Sequence, residues 1–401
     1  MSIAIAARRR DNDTRDTAPA APPMTLIPPR PAVTETARPA RAREIGLGIV
    51  GSGRIGTLRG RLAAGHPAVT SIAVSDLDPK NADKLAATVG GRSHGADNLA
   101  VIDDPAVTAV IVSTSEGEHL APLLAAIERG KPVLVEKPIA LTVREADRVL
   151  DALARAGGNV RVGYSRRYKE RYQIAKEQVA QGRLGALTGG AARVFNSRSQ
   201  ALAMLKRNPH ATPVVDALTY YVDLMGWLFE GRKLVEIYAR GQTGVLKAAG
   251  HDHVADVSYA VLTYDDGAVV NLGVSYALPE KYPALGHAAR VELVGTGGVM
   301  ILDDDHTDQL MYTEKGIPHV YLPDHVVNMV FLQSGTPGDW ALGEFWGPIA
   351  NETRAWLDHL ATGRPCTLAT PQDARATLEA TLAIEHSMRI GMPVTLPLRD
   401  G

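Results

Sequence analysis

The stretch "GLGIVGSGRIG", residues 46–56, constrains this chain more than any other. An apolar run ends in Gly51, Gly53 and Gly56 at G-x-G-x-x-G spacing, and "RIGTLRGRLAA" continues it with a helical pattern. A glycine-rich turn alone is a weak signal. Here the next apolar run, "VTSIAVSDLDP", places Asp76 at its end, twenty residues past Gly56. Strand, glycine turn, helix, strand and acid at this spacing describe a βαβ unit that binds a dinucleotide. Gly51 permits the tight turn, Gly53 lets the backbone approach a pyrophosphate, and Gly56 lets helix and strand pack closely. The helix N-terminus then faces the negative charge. Asp76 is placed to accept hydrogen bonds from the adenosine ribose, and its carboxylate would repel a 2′-phosphate, so NAD is favoured over NADP. The competing reading of Asp76 is a solvated turn aspartate.

The rhythm continues to about residue 165. Apolar runs "VTAVIVSTS", "PVLVEKPIA" and "NVRVGYSRR" alternate with helical patterns at Lys80–Val89, "HLAPLLAAIERGK" and Thr142–Ala156. Such alternation predicts a doubly wound parallel sheet, a Rossmann domain over residues 44–165. Beyond it, a helix near 169–181 is followed by clustered strands at 187–196, 233–240, 257–264, 268–276, 289–294 and 299–302. "YDDGAV" carries an Asp-Gly hairpin signal. Residues 166–401 are therefore read as an α+β domain on an open, largely antiparallel sheet. One long helix is expected at 211–231, and two more near 345–361 and 371–390. The exposed sheet face is the expected dimer or tetramer surface.

Composition narrows the partners. At 401 residues with a formal net charge of −1, the chain has room for two domains and no global field for nucleic acid or an acidic membrane. A single cysteine, Cys366, excludes an internal disulfide and suits a reducing, cytoplasmic setting. No apolar run reaches the ~20 residues that span a bilayer. His251-Asp252-His253 has no companion ligand motif, so no metal is expected. Residues 1–43 differ from the rest, with seven of the 25 prolines and eight arginines against four acids. They read as a disordered tail, or as an extended arm around a neighbouring subunit. Arg8-Arg9-Arg10 is followed by no apolar segment of an export signal.

Two further stretches carry chemistry. "VEKPIA" sets Lys137 at the C-terminal end of a parallel strand, where open α/β sheets bind ligands. In "ATPVVDALTYYVDLMGWLFEG", Val214, Leu218, Val222, Met225 and Leu228 form a core stripe, yet Asp216, Tyr220 and Asp223 share a polar one. Tyr221, about 100° further round the helix, belongs with the core.

With "GIVGSGRIG", "VSTSEGEH", "VEKP", "VGYSRRY" and this helix together, the chain resembles the glucose–fructose oxidoreductase / inositol dehydrogenase / MocA family of nicotinamide-dependent dehydrogenases from about residue 45 onwards. The family's helix reads D-x-G-x-H-x-x-D. Here its aspartates fall on Asp216 and Asp223, Leu218 replaces its glycine, and Tyr220 stands at its histidine, as in the family's tyrosine-bearing branches. The resemblance implies Lys137, Tyr220 and Asp216 as catalytic residues. It also implies a nucleotide wall of Gly51, Gly53, Arg54, Ile55, Gly56, Asp76, Ser113, Thr114, His119, Glu136, Lys137 and Arg166. Substrate would lie against Lys137, Tyr164, Arg198, Asp216 and Tyr220. For several of these a structural role competes: His119 as a structural residue, Tyr164 and Arg166 as a basic linker, and Arg198 as one of several solvated cations with Lys206, Arg207 and His210.

Chemically, oxidation of an alcohol needs a base for the hydroxyl proton. Tyrosine titrates near ~10, and a neighbouring lysine ammonium would lower that value. Tyr220 then carries the acid–base role, Lys137 the electrostatic one and Asp216 support; the alternative makes Lys137 the immediate proton donor. The implied activity is oxidation of a secondary alcohol of a sugar, cyclitol or related polyol with NAD. The alternatives are a dihydrodiol dehydrogenase of aromatic breakdown and a non-catalytic nucleotide sensor.

Overall fold

Six parallel strands form the first sheet: β1 (Ile45–Val50), β2 (Val69–Ser75), β3 (Arg92–Ser93), β4 (Ala109–Val112), β5 (Val133–Glu136) and β6 (Val160–Gly163). Their order is β3-β2-β1-β4-β5-β6. The computed structural model describes residues 42–280, 288–303, 309–318, 326–332, 339–341 and 344–398. The proline-rich stretch read as a tail or arm lies outside them, apart from its last two residues. β1 and β4 are buried at every position, as central strands covered on both faces must be. The connecting helices are α1 (Arg54–Ala64), α2 (Pro79–Val89), α3 (Asn98–Asp103), α4 (Leu120–Glu128) and α5 (Val143–Ala156). Asp78 caps α2 by accepting from Lys80 N, and Thr142 with Glu145 forms a capping box on α5. β3 and α3 are too short to show a period in the sequence.

The strand order reverses between β1 and β4, which opens a crevice at their C-terminal ends. Gly51, Asp76, Ser113, Lys137 and Tyr164 each follow one of these strand ends.

The rest of the chain contributes α6 (Glu170–Ala180), β7 (Leu187–Ser197), α7 (Arg198–Arg207), α8 (Thr219–Leu228), β8 (Leu234–Gln242), α9 (Val245–Ala248), β9 (Val257–Tyr264), β10 (Val269–Leu278), β11 (Ala288–Gly295), β12 (Gly298–Asp303), β13 (Gln309–Pro318), β14 (Val326–Leu332), a hairpin of β15 (Asp339–Ala341) and β16 (Glu344–Trp346), α10 (Pro348–Thr362), α11 (Pro371–Ile390) and β17 (Val394–Thr395). Nine strands form the second sheet, in the order β14-β13-β12-β11-β7-β10-β9-β8-β17. Its described pairs are antiparallel except β7 with β10. Strict alternation sets the faces. Val270, Leu272, Val274 and Tyr276 of β10 point into the core under α8, whereas Tyr259 and Val261 of β9 are exposed.

Three sequence expectations change. The segment 211–231 is not one uniform helix: residues Val214–Leu218 form a wide π turn before α8, with Thr219 N–H bonding Val214 O. The helix expected from residue 345 begins at Pro348, after strand β16. The C-terminal helices also do not stay with the second sheet. Trp356 and Leu357 of α10 pack with Leu47, Ile49 and Leu134 of the first core. Ala374 and Leu378 of α11 join Val135 and Val162, while Ala383 and Ile384 further along join the second core. A chain division at residue 165 therefore misses that the end of the chain completes the first half.

Candidate active site

The nucleotide end of the crevice is built from backbone. Gly51 sits at φ 93°, a conformation side chains resist, and a Cβ there would meet Thr114 N at 2.5 Å. At Gly56 a Cβ would come within 1.9 Å of Gly51 O, so only glycine lets α1 approach the turn. By contrast, nothing lies within 4 Å of a Cβ at Gly53, which faces open space at the N-terminus of α1, uncapped by any side chain. Ser113 Oγ donates to Gly51 O at 2.8 Å and braces the turn from below. Asp76 is held in place: Ser52 N–H donates to Oδ2 at 2.7 Å, and Asp78 N–H and Asn81 Nδ2 donate to Oδ1. Thr114 Oγ1 is buried without a hydrogen-bond partner and lines the same space. An open glycine, an uncapped helix start, a fixed carboxylate and an unpaired hydroxyl together fit a dinucleotide.

A single cleft of about 800 Å³ runs from Gly53, Arg54, Ile55 and Asp76 to Lys137, Asp216 and Tyr220. At this far end the Lys137 ammonium donates to the Asp216 main-chain carbonyl at 3.2 Å and lies 5.1 Å from the centre of the Tyr220 ring. The Arg166 guanidinium stands 5.3 Å from the same ring. The Asp216 carboxylate accepts from Tyr276 Oη at 2.6 Å, with Arg207 3.8 Å away. Burial works to lower the Lys137 pKa, but Tyr220 once ionised, with the carboxylates of Asp216, Glu116 and Glu136, outweighs it and holds the group above the ordinary lysine value. Burial raises Tyr220, and Glu136 and Asp216 add to it; Lys137 and Arg166 pull it down without reversing the sign. The lysine thus acts on Tyr220 in the expected sense, but burial wins and the phenol is neutral at neutral pH.

Residues 45–164 match an oxidoreductase family with an NAD-binding Rossmann fold, GFO_IDH_MocA, and residues 172–301 match the GFO/IDH/MocA C-terminal domain. The inositol 2-dehydrogenase of Acidothermus cellulolyticus is 30% identical over 66% of this chain and 74% of that protein. The chain belongs to the Gfo/Idh/MocA family. A scyllo-inositol 2-dehydrogenase (NAD(+)) of Bacillus subtilis is 24% identical over 89% of this chain and 97% of its own length. Among solved structures, the scyllo-inositol dehydrogenase of Lactobacillus casei with bound NAD(H) and scyllo-inositol shares the fold, with a TM-score of 0.70 at 19% identity, covering 88% of this chain and 99% of that one.

Within this Gfo/Idh/MocA chain, several residues named from the sequence stand elsewhere than at the ligand face. Tyr164 is 1% exposed and packs edge-on behind Tyr220, ring centres 6.2 Å apart, outside the cleft lining. Arg198 turns to the Ala277 carbonyl at 3.1 Å, and Arg207 of the same helix reaches the cleft instead. His119 lies at the cleft wall but is buried, its Nδ1 2.8 Å from Pro138 O and its Nε2 3.3 Å from Thr114 O. It ties the turn after β4 to the residue after Lys137. Glu136 lines the cleft while accepting from Arg59 Nε at 2.6 Å. Asp223 does not line this cleft: Arg167 grips it through two hydrogen bonds at 2.6 and 2.8 Å and also reaches Asp373 on α11.

Sequence reasoning missed Tyr276, Gln200, Asn208 and Glu116. Gln200 Oε1 is buried without a hydrogen-bond partner beside the cleft, and Asn208 donates to Glu116 across it at 3.1 Å. Only Tyr276 had a readable signal, since it falls on the inward phase of "VVNLGVSYAL". Among the described residues no group of three or more His, Cys, Asp or Glu could hold a metal ion, and no helix is long and apolar enough to cross a membrane.

Proposed function

We propose that this chain is an NAD-dependent dehydrogenase oxidising a secondary ring hydroxyl of an inositol-like cyclitol. The observation that carries the reading is one cleft joining the glycine turn and Asp76 to Lys137, Asp216 and Tyr220. The dehydrogenases of inositol among its relatives support the substrate class. Gly51, Gly53, the start of α1, Thr114 and Asp76 would hold NAD, which supplies the hydride acceptor when bound.

The remaining work falls to side chains. Lys137, kept cationic, stabilises negative charge growing on the substrate oxygen. Tyr220 takes the hydroxyl proton as phenolate in oxidation and returns it as phenol in reduction. Asp216 supports both, its carbonyl holding Lys137 and its carboxylate held by Tyr276. Because the folded pKa of Tyr220 lies above the ordinary value, its basic form is scarce at neutral pH and grows as pH rises. Oxidation should therefore accelerate about tenfold per pH unit through the alkaline range below that pKa, while reduction does not. If Tyr220→Phe keeps the alkaline rise, the neutral amine of Lys137 is the acceptor.

The deciding experiment is NADH formation on a panel of inositols, aldoses and a cyclic dihydrodiol. Turnover of inositols is expected. Preference for the dihydrodiol would move the enzyme to aromatic breakdown. Nucleotide binding with no turnover, unaffected by Tyr220→Phe, would make the chain a sensor.

We further propose a homo-oligomer assembled through the open face of the second sheet. Cα register sets Tyr238 beside Val261, and Val269 beside Thr263, on the outer face, and Tyr238, Tyr259, Val261, Val269 and Tyr312 are exposed there. Light scattering on Tyr259→Glu tests it: a smaller particle than wild type supports the assembly, and an unchanged one refutes it. The single free Cys366 is in keeping with a cytoplasmic location.

A further inference from the structure

We propose that Glu352 is a positioning residue of this site, acting through Arg59 on Glu136 and thereby on the adjoining Lys137. Arg59 on α1 is 1% exposed and bonds three groups at once. Its Nε donates to Glu136 at 2.6 Å, one terminal nitrogen to Glu352 at 2.6 Å and the other to Thr353 Oγ1 at 2.8 Å. One guanidinium thus joins the helix that starts at the glycine turn, the strand that ends in Glu136-Lys137, and α10 from the far end of the chain. Glu136 lines the cleft and Glu352 does not.

The space for this junction is provided by Gly163, which pairs with Glu136 in the sheet. A Cβ there would stand 2.9 Å from an Arg59 terminal nitrogen and 3.1 Å from Glu136 Oε2. Its backbone is not in the left-handed region, so steric demand and not φ explains the glycine.

Two carboxylates on one guanidinium leave an excess negative charge when both ionise. Glu352 bears it less well: it is fully buried and its Oε1 has no hydrogen-bond partner. Burial pushes its carboxyl up to about 7 against the pull of Arg59, and Glu136 and Asp223 push the same way. The groups facing Glu352 are Arg59 from α1, Glu136 from β5, Asp223 from α8 and Tyr168 from the turn after β6. When Glu352 ionises, Arg59 is shared between two anions and Glu136 is less compensated. Glu136 in turn strengthens the hold of Lys137 on its proton. The proton on Glu352 is therefore felt at the catalytic lysine through two contacts.

The kinetic arm of the test rests on the dehydrogenase reading; the spectroscopic arm does not. Lysine labelled with ¹³C at Cε, with the Lys137 signal assigned through Lys137→Met, is followed by NMR across neutral pH. Wild type should show a step in the Lys137 signal near about 7, and Glu352→Gln should remove it while melting temperature and NADH affinity stay close to wild type. Gly163→Ala, which changes no charge, should lower kcat about tenfold with KM for the polyol nearly unchanged, as a misplaced reacting group does. The proposal fails if the step persists in Glu352→Gln, or if Gly163→Ala turns over at the wild-type rate. A protein that oxidises no polyol yet shows the step and its loss would overturn the functional reading and leave the positioning role standing.

Discussion

The two ends of the cleft are made differently. The nucleotide end draws mainly on one βαβ unit, with Gly51 and Asp76 within a single stretch of chain and Ser113 and Thr114 added from the turn after β4, and the bonds that brace it join a side chain to main chain. The proposed substrate end gathers Lys137, Gln200, Arg207, Asp216, Tyr220 and Tyr276 from a strand end, two helices, a π turn and a sheet. The fold of the first end tolerates an added side chain wherever main chain is not crowded; the chemistry of the second depends on its side chains. Substitutions should therefore divide into those that move nucleotide affinity and those that move turnover.

The largest effect should come from the substrate end. Tyr220→Phe and Lys137→Met are each expected to lower kcat by about 10²–10⁴-fold, with NADH affinity in a fluorescence titration almost unchanged. A parallel loss of affinity would show that the two ends are not separable.

That separation also sets what could be read from the sequence. G-x-G-x-x-G, the alternation of strands and helices and Asp76 are local patterns, and they placed the first sheet and its crevice. The long helix was legible as an amphipathic stripe, and Tyr221 is 1% exposed in the core, as that stripe implies. The π turn at Val214–Leu218 was not, because its hydrogen bonding leaves no residue-type signature. Helix α7 escaped as well: "RSQALAMLKR" has a weak period, and its cleft-facing Arg207 cannot be told from Arg198 without knowing which way the helix turns. The return of α10 and α11 to the first core is a tertiary fact that Trp356, as an apolar residue, does not announce.

Next in size, the glycines should divide the nucleotide end itself. Gly53→Ala adds a methyl where the structure leaves space, so stability should hold within ~0.5 kcal/mol while NAD affinity falls roughly tenfold or more, about 1.4 kcal/mol or above. Gly56→Ala drives a methyl into the Gly51 carbonyl and should cost about 1–3 kcal/mol of stability as well. Thermal melts beside NADH titrations separate the two, and equal destabilisation by both would contradict the open surroundings of Gly53. Asp76→Ser should shift the NADP-to-NAD preference by about tenfold, or about 1.4 kcal/mol, read as the ratio of kcat/KM for the two cofactors. It should leave the polyol KM alone.

The smallest effect tests the substrate end at its edge. Tyr276 lines the cleft, and its hydroxyl is spent on Asp216, donating to the carboxylate at 2.6 Å. Burial and the neighbouring Asp216 charge both raise the Tyr276 pKa, so the phenol stays a donor throughout the working pH range. Removing the hydroxyl leaves a partly buried acceptor short of one bond, a change on the order of 1 kcal/mol. The loss is softened because the Asp216 side chain is 24% exposed and Arg207 lies 3.8 Å away. Tyr276→Phe should therefore lower kcat only about threefold, consistent with under 1 kcal/mol, and slightly raise the polyol KM. NAD affinity should not move, since no atom of Tyr276 belongs to the glycine turn. A loss as deep as that of Tyr220→Phe would mean that Asp216 itself handles the proton, and Tyr220 would then fall to a binding role.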